Sequence, residues 1–253
     1  MTATNVQRAG NDEQDELSLL RAALEHQRTE NAIKERQLDR YAADLRATSR
    51  RERQRARELS ESYMATVRAL AGAVEARDAY TAHHGDRVTA YGIELAAASG
   101  LEIADESELE CAFLLHDIGK VAIPDGILFK AGTLDPQERE VMQRHPVIGE
   151  EIISEIAFLE PARALVRHHH ERWDGGGYPD GLAGTEIPLV ARVFALADAL
   201  DALTSDRPYR AGVLIAEARE VIESTDGQFD PDVLEAFATI SDERIEEIRR
   251  SLA

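Results

Sequence analysis

Leu114-Leu115-His116-Asp117-Ile118-Gly119-Lys120 ends an apolar run with an imidazole and a carboxylate side by side, then turns at a glycine. Counting back from His116, Leu109, Ala112 and Phe113 share its helical face, so the pair is delivered toward a core. Two such polar groups are costly to desolvate unless something neutralises them. A divalent metal does so, and His with Asp is a sound ligand pair for Fe, Mn or Zn. Taken alone, the pair fits equally well a buried imidazole hydrogen-bonded to its neighbour's carboxylate.

Working outward, the helix that delivers His116 runs from about Asp105 to Leu115. Before it, residues from about Arg87 to Ser99 form a helix closed by Gly100, a good residue just past a helix end. Met64, Val67, Leu70, Ala71 and Val74 mark another apolar-periodic helix. After the His–Asp pair comes a loop from Ile118 to Leu134, then Asp135-Pro136 as N-cap and first helical residue. Helices follow at about 147–157 and 161–170, the second ending in His168-His169-His170. A Gly-rich loop covers Asp174 to Gly181, Ile187-Pro188 opens a helix to about Thr204, and three shorter helices finish the chain. No stretch alternates with period two, so the expected fold class is all-α.

The N-terminal part has a different character. Residues 1–13 read as a polar, frayed tail, and Leu17 to about Leu59 lacks Pro and Gly and reads as one long helix. Leu17, Leu24, Leu38, Leu45 and Leu59 fall on one heptad position, with Asn31 on the same stripe. The companion stripe, Leu20, Gln27, Lys34, Tyr41, Thr48, Arg55 and Ser62, is mostly polar. Such a half-hydrophobic seam predicts a weak two-stranded coiled coil with Asn31 as register setter, the alternative being a solvated single helix. The expected domains are therefore 1–64, an N-terminal helical segment, and 65–253, a helical domain with C-terminal helices.

The 253 residues suit one or two domains with a substantial core. No run approaches the roughly 18 apolar residues that span a bilayer, and no leader of signal-peptide type opens the chain. The single Cys111 excludes a disulfide framework and fits a reducing cytoplasm. A net charge of -19 argues against general nucleic-acid binding, which needs clustered Lys and Arg. Residues 1–60 are close to neutral, so the acidity lies beyond them. A domain of that sign needs metal ions or Arg to handle an anionic phosphate.

His84, His116, Asp117, His145, His169, His170 and Asp198 form a scattered His/Asp set at helix ends, and Asp198 shares a face with Ala191, Phe194 and Ala195. For His168 to His170 alone, an exposed basic patch at a helix C-terminus would serve. An inward-facing Asp downstream makes a metal cluster the better account.

At these residues the chain resembles the HD-GYP family, a branch of the HD phosphohydrolases. The matches begin with Arg77-Asp78-Ala79-Tyr80-Thr81, His84 and Arg87-Val88, followed by His116 to Lys120 and Ile123-Pro124-Asp125. They continue with His145-Pro146, Gly149, His169 to Gly175, Gly177-Tyr178-Pro179, Asp198, Asp201 to Thr204 and Asp206 to Arg210. They keep family order and spacing over about residues 65–240, leaving 1–60 outside.

The resemblance implies a helical HD-domain bundle and hydrolysis of cyclic di-GMP to linear pGpG or GMP. It makes His84, His116, Asp117, His145, His169, His170 and Asp198 the metal ligands, with Asp117 bridging. Two divalent ions are implied, Fe or Mn, because Tyr80 stands where relatives with a third metal carry Glu. Gly85 replaces a commoner Ser, without consequence for coordination. Lys120 suits neutralising charge on the phosphate. Tyr178, Asp201, Arg207 and Arg210 are the expected substrate contacts, Tyr178 against a guanine. His83 and His168 adjoin ligand positions without matching them, and Trp173 reads as packing. The expected setting is a cytoplasmic homodimer joined through the N-terminal helix, with no membrane or nucleic-acid partner. A diguanylate cyclase or another signalling protein would be the partner if the chain were instead a non-catalytic adaptor. Another HD-type phosphohydrolase activity, on a different cyclic dinucleotide or nucleotide, is the other alternative.

Overall fold

The computed structural model describes residues 3–77, 83–101, 106–206 and 210–252, with side chains from Leu17 onward. Its described residues are helical with no strands, as the missing period-two pattern predicts. Contacts divide the chain into two units, Met1–Glu61 and Ser62–Ala253.

The first helix, α1, runs without a break over Ala3–Glu75. The polar tail expected at the start is helical from Ala3, and the composition change near Tyr63 does not end the helix. Neither Gly nor Pro occurs between Gly10 and Gly72, so the change alters which face is buried and not the backbone. In the first unit the heptad leucines Leu17, Leu24, Leu38, Leu45 and Leu59 are all at least half exposed. In the second, Val67, Ala71 and Val74 turn into a core.

That core belongs to α2 (His84–Ala98), α3 (Glu106–Leu114), α7 (Arg163–His168), α8 (Leu189–Thr204) and α9 to α11 (Ile215–Ser224, Pro231–Ala238, Asp242–Ser251). Helix α8 lies at its centre, touching α2, α7, α9 and α10. Its Val193, Phe194, Leu196, Ala197 and Leu200 are buried. Each large side chain among them contributes roughly 1.5–3 kcal/mol of apolar burial. Phe194 stacks at a tilt on Phe113, centroids 5.2 Å apart, and so couples α8 to the helix that ends in His116.

The stretch read as a loop after Asp117 holds a 3₁₀ turn, Ile118–Ala122, and a short α4, Asp125–Leu128. Helix α5 (Pro136–Met142) starts on Asp135, whose side chain accepts from the Glu138 amide in a capping box. Helix α6 spans His145–Ser154, so His145 is its first residue and not a residue before it. The helix expected over 161–170 is a 3₁₀ piece, Ala157–Ala162, followed by α7.

Candidate metal centre

Three histidines are aimed by one device repeated at three helix ends. The Nδ1 atoms of His116, His145 and His169 lie 2.7, 2.8 and 2.9 Å from the carbonyls of Phe113, Met142 and Val166, each three residues earlier. A carbonyl only accepts, so each Nδ1 carries the proton and each Nε2 presents its lone pair. Those Nε2 atoms converge on Asp117, at 3.1 Å from His116, 3.3 Å from His145 and 3.9 Å from His169.

His145 Nε2 and His169 Nε2 are 3.2 Å apart. Two lone pairs at that distance repel unless a cation lies against them. Ligand atoms of Asp117, His145, His169 and His170 all fall within 4.8 Å of one another. Nitrogen and carboxylate donors so gathered and half-dehydrated fit a divalent transition metal.

The approach of the elements depends on one glycine. A Cβ on Gly119 would stand 1.9 Å from the His145 carbonyl oxygen and 2.6 Å from the Gly149 amide. Without a side chain there, the turn after Asp117 seats on the start of α6 and brings Asp117 to His145. Lys120, one turn on, sets its ammonium 2.8 Å from an Asp117 oxygen.

A second half of the site comes from α2 and α8. His84 Nε2 points at Asp198 Oδ1, 3.6 Å away, and its Nδ1 lies 2.7 Å from Asp201 Oδ2. The other Asp201 oxygen accepts from Arg87 Nε at 2.6 Å and from the Ser205 hydroxyl at 3.1 Å. Asp201 thus stands behind His84 as a carboxylate stands behind a metal-binding histidine. This corrects its expected role as a substrate contact: it is 1 % exposed, and its oxygens are occupied by His84, Arg87 and Ser205.

Burial opposes charge on His116, Asp117, His169 and His170, and neighbours overcome it at the first two and add to it at the others. Burial works against the His116 imidazolium, but the Asp117 carboxylate beside it keeps its pKa above the ordinary value. Burial likewise disfavours the Asp117 carboxylate, yet His116 and Lys120 hold it well below the carboxylate range. Burial and the neighbouring His170 and His145 push His169 far down. Burial, then His145, lowers His170 to about 3. Neutral His169 and His170 beside an ionised Asp117 are in the protonation states that bind metal.

Tyr178 lies against the cluster, its ring stacked on His170 with centroids 4.7 Å apart and planes 28° from parallel. Burial, then the charge of Asp117, raises its phenol pKa, so it stays protonated. The Tyr178-Pro179 peptide is cis. Arg210 donates to the Ala202 and Leu203 carbonyls at the end of α8, beside a groove lined by Tyr178, Ala199, Ala202 and Leu203. Arg207 and Tyr80 lie outside the described residues. His83 is exposed, 3.5 Å from Asp86, and away from the cluster. Trp173 lies under the Arg192 guanidinium.

Sequence reasoning gave three residues no role in the site. Glu75, at the end of α1, accepts from the Gly85 amide at 2.7 Å and walls the cavity with His84, Asp117, Lys120 and Asp198. Arg87 holds Asp201 from one turn beyond His84, a spacing that could have flagged it. Glu171 takes the loop amides of Asp180, Gly181 and Leu182, and its only signal was a Glu directly after two ligands. His168, Glu171 and Asp180 form a second His/carboxylate group. Its oxygens are engaged by those amides and by Arg167, which lies 2.8 Å from Asp180.

A helical domain that gathers His and Asp from four helix ends in this order defines an HD domain, and the HD-domain family model matches residues 68–233. The chain belongs to that family, and within it to the HD-GYP type. It is 39% identical over 183 residues to the "Cyclic di-GMP phosphodiesterase response regulator RpfG" of Xanthomonas campestris pv. campestris, covering 71% of this chain and 48% of that protein. It is 40% identical over 198 residues to "3'3'-cGAMP-specific phosphodiesterase 2" of Vibrio cholerae, covering 77% of this chain and 38% of the relative. The chain thus spans half or less of the length of these relatives. In fold it is similar to Bd1817, an HDG"Y"P protein from Bdellovibrio bacteriovorus, with TM-score 0.51, 22% identity and coverage of 68% of this chain and 53% of that one. Among the described residues no helix is long and apolar enough to cross a membrane.

Proposed function

We propose that this chain is a metal-dependent phosphodiesterase that hydrolyses cyclic di-GMP to linear pGpG or onward to GMP. The observation that carries the reading is the convergence of three Nε2 lone pairs on Asp117, beside a groove walled by Tyr178. Two ions would fit: Asp117, His145, His169 and His170 would hold one, and His84, His116 and Asp198, on the other side of Asp117, would hold the second. Fe or Mn suits a mixed imidazole and carboxylate set. When bound, such ions supply Lewis acidity, which brings the pKa of a water to about 7 and offsets phosphate charge.

The protein's own part is positioning. The Nδ1–carbonyl bonds fix the direction of the three imidazoles and turn each Nε2 toward the cluster. Lys120 places positive charge at the edge of the cavity, where charge grows on a phosphate during attack. Tyr178 offers a rigid aromatic surface to a purine, and Arg207 and Arg210 supply cations in an acidic domain. The exposed leucine stripe on α1 suits a second copy in parallel, giving a cytoplasmic dimer. Leu24→Glu with Leu38→Glu should then turn a dimer into a monomer in analytical ultracentrifugation.

Cleavage of 3'3'-cGAMP is the second reading, supported by the 40% identity to the Vibrio cholerae enzyme of that name. The deciding experiment incubates protein reconstituted with Fe(II) or Mn(II) with each cyclic dinucleotide and resolves the products by chromatography, with Asp117→Ala as control. Turnover of cyclic di-GMP that the variant lacks supports the first reading, and turnover of 3'3'-cGAMP alone supports the second. No turnover of either by metal-loaded protein overturns both.

A further inference from the structure

The Gly-rich loop is not a free turn. Glu171 follows the ligand His170 directly, is 4 % exposed, and receives three backbone amides from the far side of the loop. Asp180 and Gly181 donate to its Oε1 at 2.8 and 3.2 Å, and Leu182 donates to its Oε2 at 3.1 Å. Amides pointed at one carboxylate make charge-assisted bonds, stronger than neutral ones.

The near side of the loop is held just as closely. The Tyr178 amide donates to the His170 carbonyl at 3.2 Å. A Cβ on Gly177 would lie 2.4 Å from the Arg172 amide and 2.5 Å from the Glu171 Cα, so only glycine permits the approach. Outside, Arg167 grips both Asp180 oxygens, at 2.8 and 2.9 Å, and also meets Glu150 at 3.3 Å.

We infer that Glu171 is a positioning residue: its carboxylate clamps residues 180–182 to the metal-ligand segment and so fixes the Tyr178 ring as the surface on which a nucleotide base is read. The inference rests on the proposed activity for the base and on the structure alone for the clamp. It therefore makes separate demands on the loop and on substrate recognition. Glu171→Gln keeps the shape but places an amide N–H against at least one backbone N–H.

The test uses the full chain loaded with Mn(II). In hydrogen–deuterium exchange, the amides of Asp180, Gly181 and Leu182 should exchange about tenfold faster in Glu171→Gln, the equivalent of one lost hydrogen bond. Unchanged exchange there overturns the clamp, whatever the substrate proves to be. In steady-state kinetics on the cyclic dinucleotide that wild type cleaves, KM should rise about tenfold with kcat within about twofold and metal content equal. A fall in kcat or in bound metal at constant KM would show a merely structural residue and overturn the positioning role. If wild type cleaves neither dinucleotide, the proposed activity fails and the base-reading half of the inference falls with it. The exchange result still decides the clamp.

Discussion

Asp201→Asn tests how His84, the proposed ligand on α2, is held. The carboxylate accepts from His84 Nδ1 at 2.7 Å through one oxygen and from Arg87 Nε at 2.6 Å through the other. Burial disfavours its charge, but the hydrogen bonds from His84 and Arg87 keep its pKa below the usual carboxylate value. Asparagine has the same shape but one acceptor oxygen, so its NH₂ must face one of two donors. If it faces His84, the ring loses the partner that fixes its tautomer and aims Nε2 at Asp198. If it faces Arg87, the half-buried guanidinium loses the acceptor of its Nε–H, and in either orientation it loses its counter-charge.

Partners behind metal-bound histidines are worth 10- to 100-fold in metal affinity, or about 1.4–2.7 kcal/mol at 1.36 kcal/mol per decade. The expected result is Mn(II) affinity at least tenfold weaker at the site that includes His84, measured by competition with a chelating dye. Stability of the metal-free protein should fall by about 1–3 kcal/mol, since a buried donor is left unpaired. Asp198→Asn, run alongside, changes a proposed ligand itself and should lower metal stoichiometry. Wild-type affinity in a folded Asp201→Asn protein would refute the reasoning and return Asp201 to the candidates for substrate contact.

Three further outcomes follow from packing and charge. Phe194→Ala removes a fully buried ring that touches Phe113 and His116, and should cost about 3–5 kcal/mol in urea denaturation; a loss under 1 kcal/mol would mean that α8 is not the centre of the core. Gly119→Ala sets a methyl 1.9 Å from the His145 carbonyl, so the turn must shift. We expect about 1–3 kcal/mol of destabilisation together with lost metal binding, and full metal loading would contradict the close approach. Glu150 has its pKa held below the ordinary 4.5, first by hydrogen bonding from Arg163 and then, against burial, by Arg163 and Arg167. Its stabilising share is present above the unfolded-state value and disappears as pH falls through the lower folded-state value. The stability gap between wild type and Glu150→Gln should therefore be full at pH 7 and close below pH 4.5; a gap that widens on acidification would reverse the assigned sign.

Residues that act through their own helix were legible in the sequence. The face shared by Leu109, Ala112, Phe113 and His116 follows from a period of 3.6 residues, and it placed His116 inward. Asp135-Pro136 announced a helix start through local capping chemistry, and the structure shows that cap. The absence of period-two alternation settled the class, because every residue in a strand is bound by that rule. The helix breaks inside 118–134 and 157–168 were less legible, since 3₁₀ pieces of five or six residues carry too few side chains to show a period.

Partnerships across the fold were settled only by the tertiary structure. Asp201 lies 117 positions from His84, and nothing local distinguishes a carboxylate that faces a ligand from one that faces a histidine's far nitrogen. Glu171, Glu75 and Gly119 are of the same kind. Each meets a backbone atom of another segment, and a backbone atom has no identity in the sequence to read. By itself the sequence determined the helices, the inward histidines and the class of ligand atoms, because these depend on spacing along one chain. Which atoms stand first around the metal centre and which stand behind it depended on how the helices cross, and that is set by the packing of Phe113, Phe194 and their neighbours as a whole.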